Sequence, residues 1–586
     1  MIKNTYATIL ICLILVSLLV LPNCTGGGTG GGGEQTAVVE NETPSYGGVL
    51  NLAVVTDPQG FDDAIQAHYL CGTLKLTNEE VWEGDWTKGQ AGGWGSGECD
   101  WFAGGSLNRL EHKAGAMAES WETPDRETII LHIRKGIYWQ DKPPTNGREL
   151  TADDVVFSLN RQYTLPTAYM KKTYPKAAET TQISSPDEWT VVLKCQPECF
   201  GDVISMLDYM DIYPRDAVET FGDMNDWENS IGTGPFILTN YVSGNLAEFA
   251  RNPKYWAKNP LGPGQDNQLP YVDGIKIFNM PDDSTRTAAF RTGNLDILTT
   301  DWELAQEFLQ MPQLKHVSYL DDYGQACIYM RTDKKDSPLA DKRVRQALWL
   351  AIDYNKILSD YYGGKGTLLK WPIMEYREYA GAYVPLEQLP ESVQELYSYN
   401  PEKAKQLLAE SGYADGFKVK IVCYNQRAYT DVLTMVKAMW AQVGVELELQ
   451  PKEYGPFVAT LARRSYDDMF FGYYSGVGTY FKAINYTGQG MYNGSYVDDA
   501  VLDKARDEMV ATYPDEAKVD QLHRDLMPYL LEQAYVITLP AGYQYRFWWP
   551  WVKNYSGEAS LGYYNTGNFA KYVWIDQAMK DSMLGK

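Results

Sequence analysis

The sequence predicts an α/β protein built from strand–helix–strand units. Lys418–Tyr424 alternates polar and apolar residues as a strand does, and Val445–Gln450 alternates in the same way. Between them lies an apolar stripe at helical spacing that ends at Gly444 and consists of Val432, Met435, Val436, Met439, Trp440 and Val443. Strand, helix and strand in this order are typical of two parallel strands joined by a crossover helix.

Further segments carry their own start and stop signals. Thr128–Arg134 is a β-rich run that ends before Gly136. Thr151–Asp154 resembles a capping box and precedes a helix whose apolar face begins with Val155, Val156 and Leu159. A third apolar face has i, i+3, i+4, i+7 spacing in Val344, Ala347, Leu348 and Ala351. Asn400–Pro401 provides an N-cap and an N1 proline for a helix that Gly412 ends, with an inward face of Ala404, Leu407 and Leu408.

Length, composition and charge exclude several classes of protein. A chain of 586 residues predicts two or three domains, because one hydrophobic core stops growing at about 250–300 residues. With 44% hydrophobic and 22% charged residues, the chain is too apolar to be disordered. Its net charge of −24 argues against a nucleic-acid partner, which requires a basic surface.

The N-terminus predicts export and membrane anchoring. Residues 1–23 are interpreted as a signal peptide, because Lys3 precedes the apolar run Ile9–Leu21, which is short for a membrane span. Leu21–Cys24 resembles the lipobox of bacterial lipoproteins, so we expect lipidation at Cys24 and an extracytoplasmic protein held at the cell membrane. Residues 24–46 are interpreted as a Gly-rich flexible tether. The alternative is an ordinary secreted cysteine after plain cleavage.

Six more cysteines follow: Cys71, Cys99, Cys195, Cys199, Cys327 and Cys423. An even number in an oxidising compartment permits disulfides, and six cysteines allow 15 pairings, which the sequence does not distinguish. Cys195 and Cys199 are close enough in sequence to close a local loop. Neither a second cysteine pair nor a histidine pair accompanies them, so no metal site is expected.

Motifs for catalysis are missing from the sequence. The five histidines form no H-E-x-x-H motif, and no nucleophile elbow or P-loop occurs. The acidic doublets could suggest a secreted carbohydrate-active enzyme, but adjacent side chains do not face each other, so we interpret them as helix caps or solvated faces: Asp153–Asp154, Asp467–Asp468 and Asp498–Asp499. We expect no enzyme activity and no cofactor.

Aromatic residues give the stronger signal. Residues 470–481 form an apolar, strand-like run that passes into a glycine-rich loop dense with tyrosine and phenylalanine. Such rings suit contact with peptide or sugar, although they could also fill a core between domains. A second aromatic group is interpreted as packing: Tyr543, Tyr545, Phe547, Trp548, Trp549 and Trp551.

Motifs along most of the chain resemble the family 5 extracellular solute-binding proteins of ABC importers, the oligopeptide-, dipeptide- and nickel-binding group. The resemblance covers roughly residues 47–575. Its motifs are Ala118–Trp121, Ile133–Trp139, Leu150–Ser158, Gly232–Phe236, Arg251–Trp256, Gly293–Ile297, Asp341–Leu348 and Asn400–Ala404.

This resemblance implies a type II clam-shell of the periplasmic-binding-protein kind, with two lobes joined by a two-strand hinge and an extra domain in the first lobe. The implied first lobe is 47–310, with a core of 47–82 and 228–310 and the extra domain at 83–227. The second lobe is 311–540, and 541–586 return to the first. The implied role is capture of a ligand between the lobes and delivery to ABC permease subunits by a monomeric receptor.

The family's ligand loop corresponds to Gly472–Gly478. The implied ligand-binding residues are Gln66, Tyr454, Gly472, Tyr473, Tyr474, Ser475 and Gly476. The acid that pairs with a peptide ammonium in peptide-binding members would fall on Ser475 or Gly476, and no acid lies between Phe470 and Tyr486. A buried ammonium without a carboxylate is costly. Peptide is the expected ligand on family grounds, and an oligosaccharide or another polar solute is the alternative.

Overall fold

The computed structural model describes residues 42–66, 71, 74–102, 109–320, 326–473 and 493–586. The chain divides into two compact units, residues 1–35 and 36–586, and all described residues lie in the second. The predicted signal peptide, Cys24 and most of the predicted tether are therefore outside the described residues. None of the described helices combines the length and the apolar composition that crossing a bilayer requires.

The strands of the described residues are β1 (Val49–Val54), β2 (Trp82–Gly84), β3 (Lys113–Gly115), β4 (Ala118–Glu122), β5 (Thr128–Ile133), β6 (Gln182–Asp187), β7 (Thr190–Lys194), β8 (Phe236–Val242), β9 (Leu246–Arg251), β10 (Gly274–Asn279), β11 (Ile297–Thr300), β12 (Lys315–Leu320), β13 (Ala326–Met330), β14 (Gly366–Thr367), β15 (Phe417–Tyr424), β16 (Val445–Lys452), β17 (Met469–Tyr473), β18 (Val536–Thr538), β19 (Ala541–Trp548), β20 (Val552–Lys553) and β21 (Trp574–Ile575).

The α-helices of the same residues are α1 (Leu74–Thr77), α2 (Ala152–Thr164), α3 (Tyr169–Thr173), α4 (Pro175–Thr180), α5 (Phe200–Leu207), α6 (Arg215–Phe221), α7 (Asp283–Arg291), α8 (Trp302–Phe308), α9 (Lys342–Leu350), α10 (Tyr354–Tyr362), α11 (Glu391–Leu396), α12 (Pro401–Glu410), α13 (Arg427–Ala441), α14 (Tyr454–Ala462), α15 (Ala500–Thr512), α16 (Glu516–Gln533) and α17 (Gln577–Leu584).

The larger sheets differ in how their strands pair. One sheet has the order β1-β10-β9-β8, another β4-β5-β7-β6 and a third β11-β19-β12, in which β19 is antiparallel to both neighbours. The largest has the order β16-β15-β17-β13-β18. In this last sheet β15 is parallel to β16 and to β17, whereas β13 is antiparallel to β17 and β18.

Buried apolar side chains form two clusters, which define two lobes. The first cluster draws on residues 50–320 and 541–575 and the second on residues 327–539, except that residues 373–382 and 509–519 pack in the first. The chain therefore passes from the first lobe to the second between Leu320 and Cys327. It returns to the first lobe between Leu539 and Ala541.

The local predictions from the sequence are largely confirmed. The predicted strand–helix–strand unit is β15, α13 and β16, and Phe417 pairs with Val445 in parallel register. Thr151 and Asp154 form the reciprocal capping box of α2. The Asn400 side chain accepts a hydrogen bond from the Lys403 amide at the start of α12. On that helix Ala404 and Leu408 are buried, but Leu407, which was predicted to point inward, is only half-buried.

The interpretations of the cysteines and of the later aromatic group have mixed outcomes. Cys71, Cys99, Cys195, Cys199, Cys327 and Cys423 are all buried, and the structure has each as a free thiol. Five of the six aromatic residues between 543 and 551 are buried in the first cluster, which agrees with packing; Tyr543 is half-buried. Trp549 and Trp551 stack with ring centroids 4.6 Å apart.

Candidate functional site

Three parallel strands of the second lobe end at one edge of its sheet. β16 ends at Lys452, β15 at Tyr424 and β17 at Tyr473, and β15 lies between the other two. Ligands of open α/β sheets bind outside the carboxyl ends of parallel strands. We call this edge the aromatic edge, because Tyr424, Tyr454 and Tyr473 lie along it.

Rings pack closely along the aromatic edge. The centroid of the Tyr424 ring is 5.4 Å from that of Tyr454 and 5.7 Å from that of Phe457. Phe457 and Phe470 are buried beneath them, with centroids 4.8 Å apart, whereas Tyr424 and Tyr454 are half-buried. The rings that remain partly accessible are therefore tyrosines, which offer an apolar face and a hydroxyl group to a bound molecule.

The aromatic edge lies beside both connections between the lobes. Tyr473 pairs with Ala326 and Gly472 with Cys327, the first described residues after the chain enters the second lobe. Cys327 pairs in turn with Thr538, just before the chain returns. Gly472 leaves no room for a side chain, because a Cβ atom there would lie 2.1 Å from the Phe470 ring. A molecule bound at this edge would therefore lie next to the strands that connect the lobes.

The predicted ligand-binding residues fall into three groups. Tyr454, Gly472 and Tyr473 come together at the aromatic edge. Tyr474, Ser475 and Gly476 lie outside the described residues. Gln66 is in the first lobe, where its amide N–H donates to the Asp62 carbonyl at 2.9 Å, and the described contacts do not join it to the aromatic edge.

Three further rings of the aromatic edge are not predicted by the sequence: Tyr424, Phe457 and Tyr429, whose ring centroid is 5.6 Å from that of Tyr424. Tyr424 is the last residue of a strand that the sequence does predict. The rule that ligands bind at the carboxyl ends of parallel strands would have drawn attention to it. Tyr429 lies in the first turn of α13, just after β15, and Phe457 lies in the first turn of α14, just after β16.

A buried ionic network holds the segment that leads to Gln66. Arg161 on α2 donates two hydrogen bonds to the Asp62 carboxylate, at 2.7 and 2.5 Å, and both side chains are buried. The Met224 amide donates to the same carboxylate. The next residue, Asp63, accepts a hydrogen bond from the Asp211 amide at 2.8 Å. These bonds fix Asp62–Gln66 on the body of the first lobe.

Lys75 on α1 extends this network. Its Nζ atom is 2.7 Å from a carboxylate oxygen of Glu80 and 2.7 Å from one of Asp211. Burial, and to a smaller extent the charge of Asp62, raises the pKa of Asp63 to about 7. Burial also raises the pKa of Glu80 well above its usual range, although Lys75 opposes this. The Asp63 carboxyl group is therefore partly protonated near neutral pH.

A small polar recess lies next to Lys75. Its lining residues are Lys75, Asn78, Glu79, Glu80, Trp82, Glu83, Ala116, Pro235, Tyr255, Asn565, Asn568 and Lys571. Glu79 accepts hydrogen bonds from Tyr255 and Trp256, Glu80 from Lys75 and Asn565, and Glu83 from Asn568 and Lys571. Among the described residues, no group of acidic, histidine or cysteine side chains is arranged to hold a metal ion. The hydrogen bonds that Asn565, Asn568 and Lys571 donate across the recess therefore hold the C-terminal segment against β2 and the residues that connect it to α1.

Solved structures with this fold define its class. The Helicobacter pylori periplasmic binding protein DppA, solved in complex with the peptide STSA, superposes with a TM-score of 0.70 over 91% of this chain and 99% of its own, at 19% identity. The fold is the two-lobed, type II fold of periplasmic binding proteins, as the sequence predicts.

The family follows from the sequence itself. The model of the bacterial extracellular solute-binding proteins, family 5 (middle region), matches residues 114–493. The chain belongs to this family. Heme-binding protein A of Haemophilus influenzae is 28% identical over 368 residues, which are 58% of this chain and 63% of that protein. The dipeptide-binding protein of Escherichia coli is 28% identical over 381 residues, 60% of this chain and 67% of that protein. The match thus spans less than two thirds of the first relative.

Proposed function

We propose that this chain is the substrate-binding receptor of an ABC importer, which captures a peptide between its lobes and delivers it to membrane permease subunits. The observation that carries the proposal is the aromatic edge, where strand ends, half-buried tyrosines and both connections between the lobes come together. The hinge then comprises the two connections between the lobes, one between Leu320 and Cys327 and the other between Leu539 and Ala541. Closure brings Gln66 in the first lobe toward this edge.

The peptide assignment is supported by relatives named for dipeptide binding and by the solved complex of DppA with a peptide. One observation favours the second candidate, an oligosaccharide or another polar solute. The segment from Phe471 to Asn485 contains no acidic residue, so it provides no carboxylate for a peptide ammonium group. Exposed faces of Tyr424 and Tyr454 suit a sugar ring as well as a side chain.

Short peptides are expected to raise the thermal unfolding midpoint of the purified receptor, because a ligand that binds only the native state stabilises it by about 2.7 kcal/mol at a concentration one hundred times Kd. The measurement is a thermal shift screen of di- to pentapeptides beside di- and trisaccharides. Tyr454→Ala is expected to reduce the shift, and Tyr399→Ala, an exposed tyrosine of the second lobe, is the control. A shift with saccharides and none with peptides would assign the ligand to the second candidate.

We also propose that a lipid on Cys24 anchors the receptor at the cell membrane, with residues 24–46 as the tether. Cys24→Ser is expected to move the protein from the membrane fraction to the soluble extracytoplasmic fraction, because no acyl chain remains to hold it. Immunoblots of the fractions measure this, and Cys12→Ser, inside the predicted signal peptide, is the control. Retention of the Cys24→Ser protein at the membrane contradicts the proposal.

A further inference from the structure

A helical hairpin connects the two lobes in addition to the strands that cross between them. It consists of α15 and α16, residues 500–533. Residues at its base pack in the cluster of the second lobe: Leu502, Met527, Leu530 and Leu531. Residues around its tip pack in the cluster of the first lobe: Met509, Val510, Tyr513 and Val519. The hairpin is thus rooted in one lobe and buried in the other.

Ion pairs surround the buried tip. Arg506 on α15 lies 3.2 Å from the Asp202 carboxylate on α5 of the first lobe. Arg109 of the first lobe lies 3.2 Å from Asp520 on α16, and the Leu110 amide donates to Glu516 at 3.1 Å. The side chains of Asp202, Asp520 and Arg109 are 5%, 6% and 10% exposed, so these charges are shielded from water.

A second segment of the second-lobe sequence reaches the same place. The Arg109 Nε donates to the Glu378 carbonyl at 2.9 Å, and Arg377 lies 3.2 Å from Asp100. Gly381 packs so tightly on Asp520 that a Cβ atom would lie 2.0 Å from its carboxylate. Arg109 therefore joins the first lobe to α16 and to residues 377–381 at once.

We infer that the tip of the α15–α16 hairpin is a latch between the lobes, and that Arg109 and Arg506 are affinity-determining residues distant from the ligand. A rigid hairpin cannot move with both lobes when they separate. Separation therefore has to withdraw the apolar tip from the first lobe or pull the base of the hairpin out of the second lobe. Every favourable contact of the tip therefore lowers the population of the open conformation. A ligand held by closure binds more tightly when closure costs less. The effect on ligand affinity rests on the proposed function, whereas the latch itself concerns the protein without ligand.

The test is small-angle X-ray scattering of the ligand-free receptor, purified without detergent as the Cys24→Ser protein. Arg109→Gln combined with Arg506→Gln is expected to increase the radius of gyration. The protein with both arginines is expected to keep its radius of gyration between about 0.05 M and about 1 M NaCl, because salt screens buried ion pairs far less than exposed ones. Arg215→Gln, which removes an ion pair with Glu219 within α6, is the matched control and is expected to change neither result.

Identical scattering of the double variant and the parent protein at both salt concentrations overturns the latch, provided that circular dichroism shows both to be folded. Should the double variant not fold, Arg506→Gln alone takes its place, since this side chain is 26% exposed. The exchange of Asp202→Arg with Arg506→Asp is expected to recover the compact state. Because no ligand is present, failure of this experiment differs from failure of the thermal shift screen, which tests ligand capture.

Discussion

Replacing Arg161 with methionine is expected to lower the free energy of unfolding by about 3–5 kcal/mol, because it leaves the buried Asp62 carboxylate without its cation. Both side chains are buried, and two hydrogen bonds join them. Urea denaturation followed by tryptophan fluorescence measures the change. Arg215→Met is the control, since Arg215 and Glu219 are both more than half exposed and an exposed pair contributes about 1 kcal/mol or less.

The double replacement of Asp62→Leu and Arg161→Met is expected to recover part of the loss. Removing both charges avoids a buried carboxylate without a partner, although the bond to the Met224 amide is lost as well. Equal losses from Arg161→Met and Arg215→Met would show that the pair adds nothing to the fold. The result would then contradict the assignment of this network as the support of the segment that leads to Gln66.

The second large effect is on the pH dependence of stability. Burial first, and Asp62 second, raise the pKa of Asp63 from 3.8 to about 7. The unfolded chain therefore releases this proton near pH 4, whereas the folded protein keeps it until about pH 7. The contribution of Asp63 to stability is complete below pH 4 and falls by about 1.4 kcal/mol per pH unit up to pH 7, about 4 kcal/mol in all. Above pH 7 it changes no further.

Asp63→Asn is expected to remove this slope and to make the protein more stable than the parent at pH 8. The amide oxygen still accepts the bond from the Asp211 amide, so the geometry is kept. Urea denaturation at pH 5, 6, 7 and 8 gives the difference in the free energy of unfolding between variant and parent. The titration of all other groups is common to both proteins and cancels in this difference. Asp187→Asn, at the exposed end of β6, is the control. A difference that stays constant from pH 5 to 8 contradicts the raised pKa.

Structural elements that depend only on residues close together in the chain are predicted from the sequence. The unit β15–α13–β16, the capping box at Thr151 and the N-cap at Asn400 are local patterns, and the structure confirms them. The two-lobed architecture came from motifs typical of a family and not from periodicity, because it depends on strands hundreds of residues apart. β19, for example, pairs with both β11 and β12.

The site was predicted in part for the same reason. Tyr454, Gly472 and Tyr473 meet because β16 and β17 flank β15, an order that no local pattern encodes. The ionic network was missed, since charged residues in a sequence predict an exposed surface unless their partners are known. Asp62 and Arg161 are 99 residues apart, and Lys75 and Asp211 are 136 apart. The free-energy cost of removing these charges from water is offset only when the fold pairs them with each other.

The double passage between the lobes has a consequence for the order in which the chain acquires structure as it is made. Residues 327–539 are continuous, so the second lobe has nearly all of its sheet once they have emerged. The first lobe has to wait, because β19 is the central strand between β11 and β12. The ring of Trp86 also stacks on Tyr572 at 4.1 Å, and Glu83 pairs with Lys571. The part of the chain that is synthesised first is thus completed last.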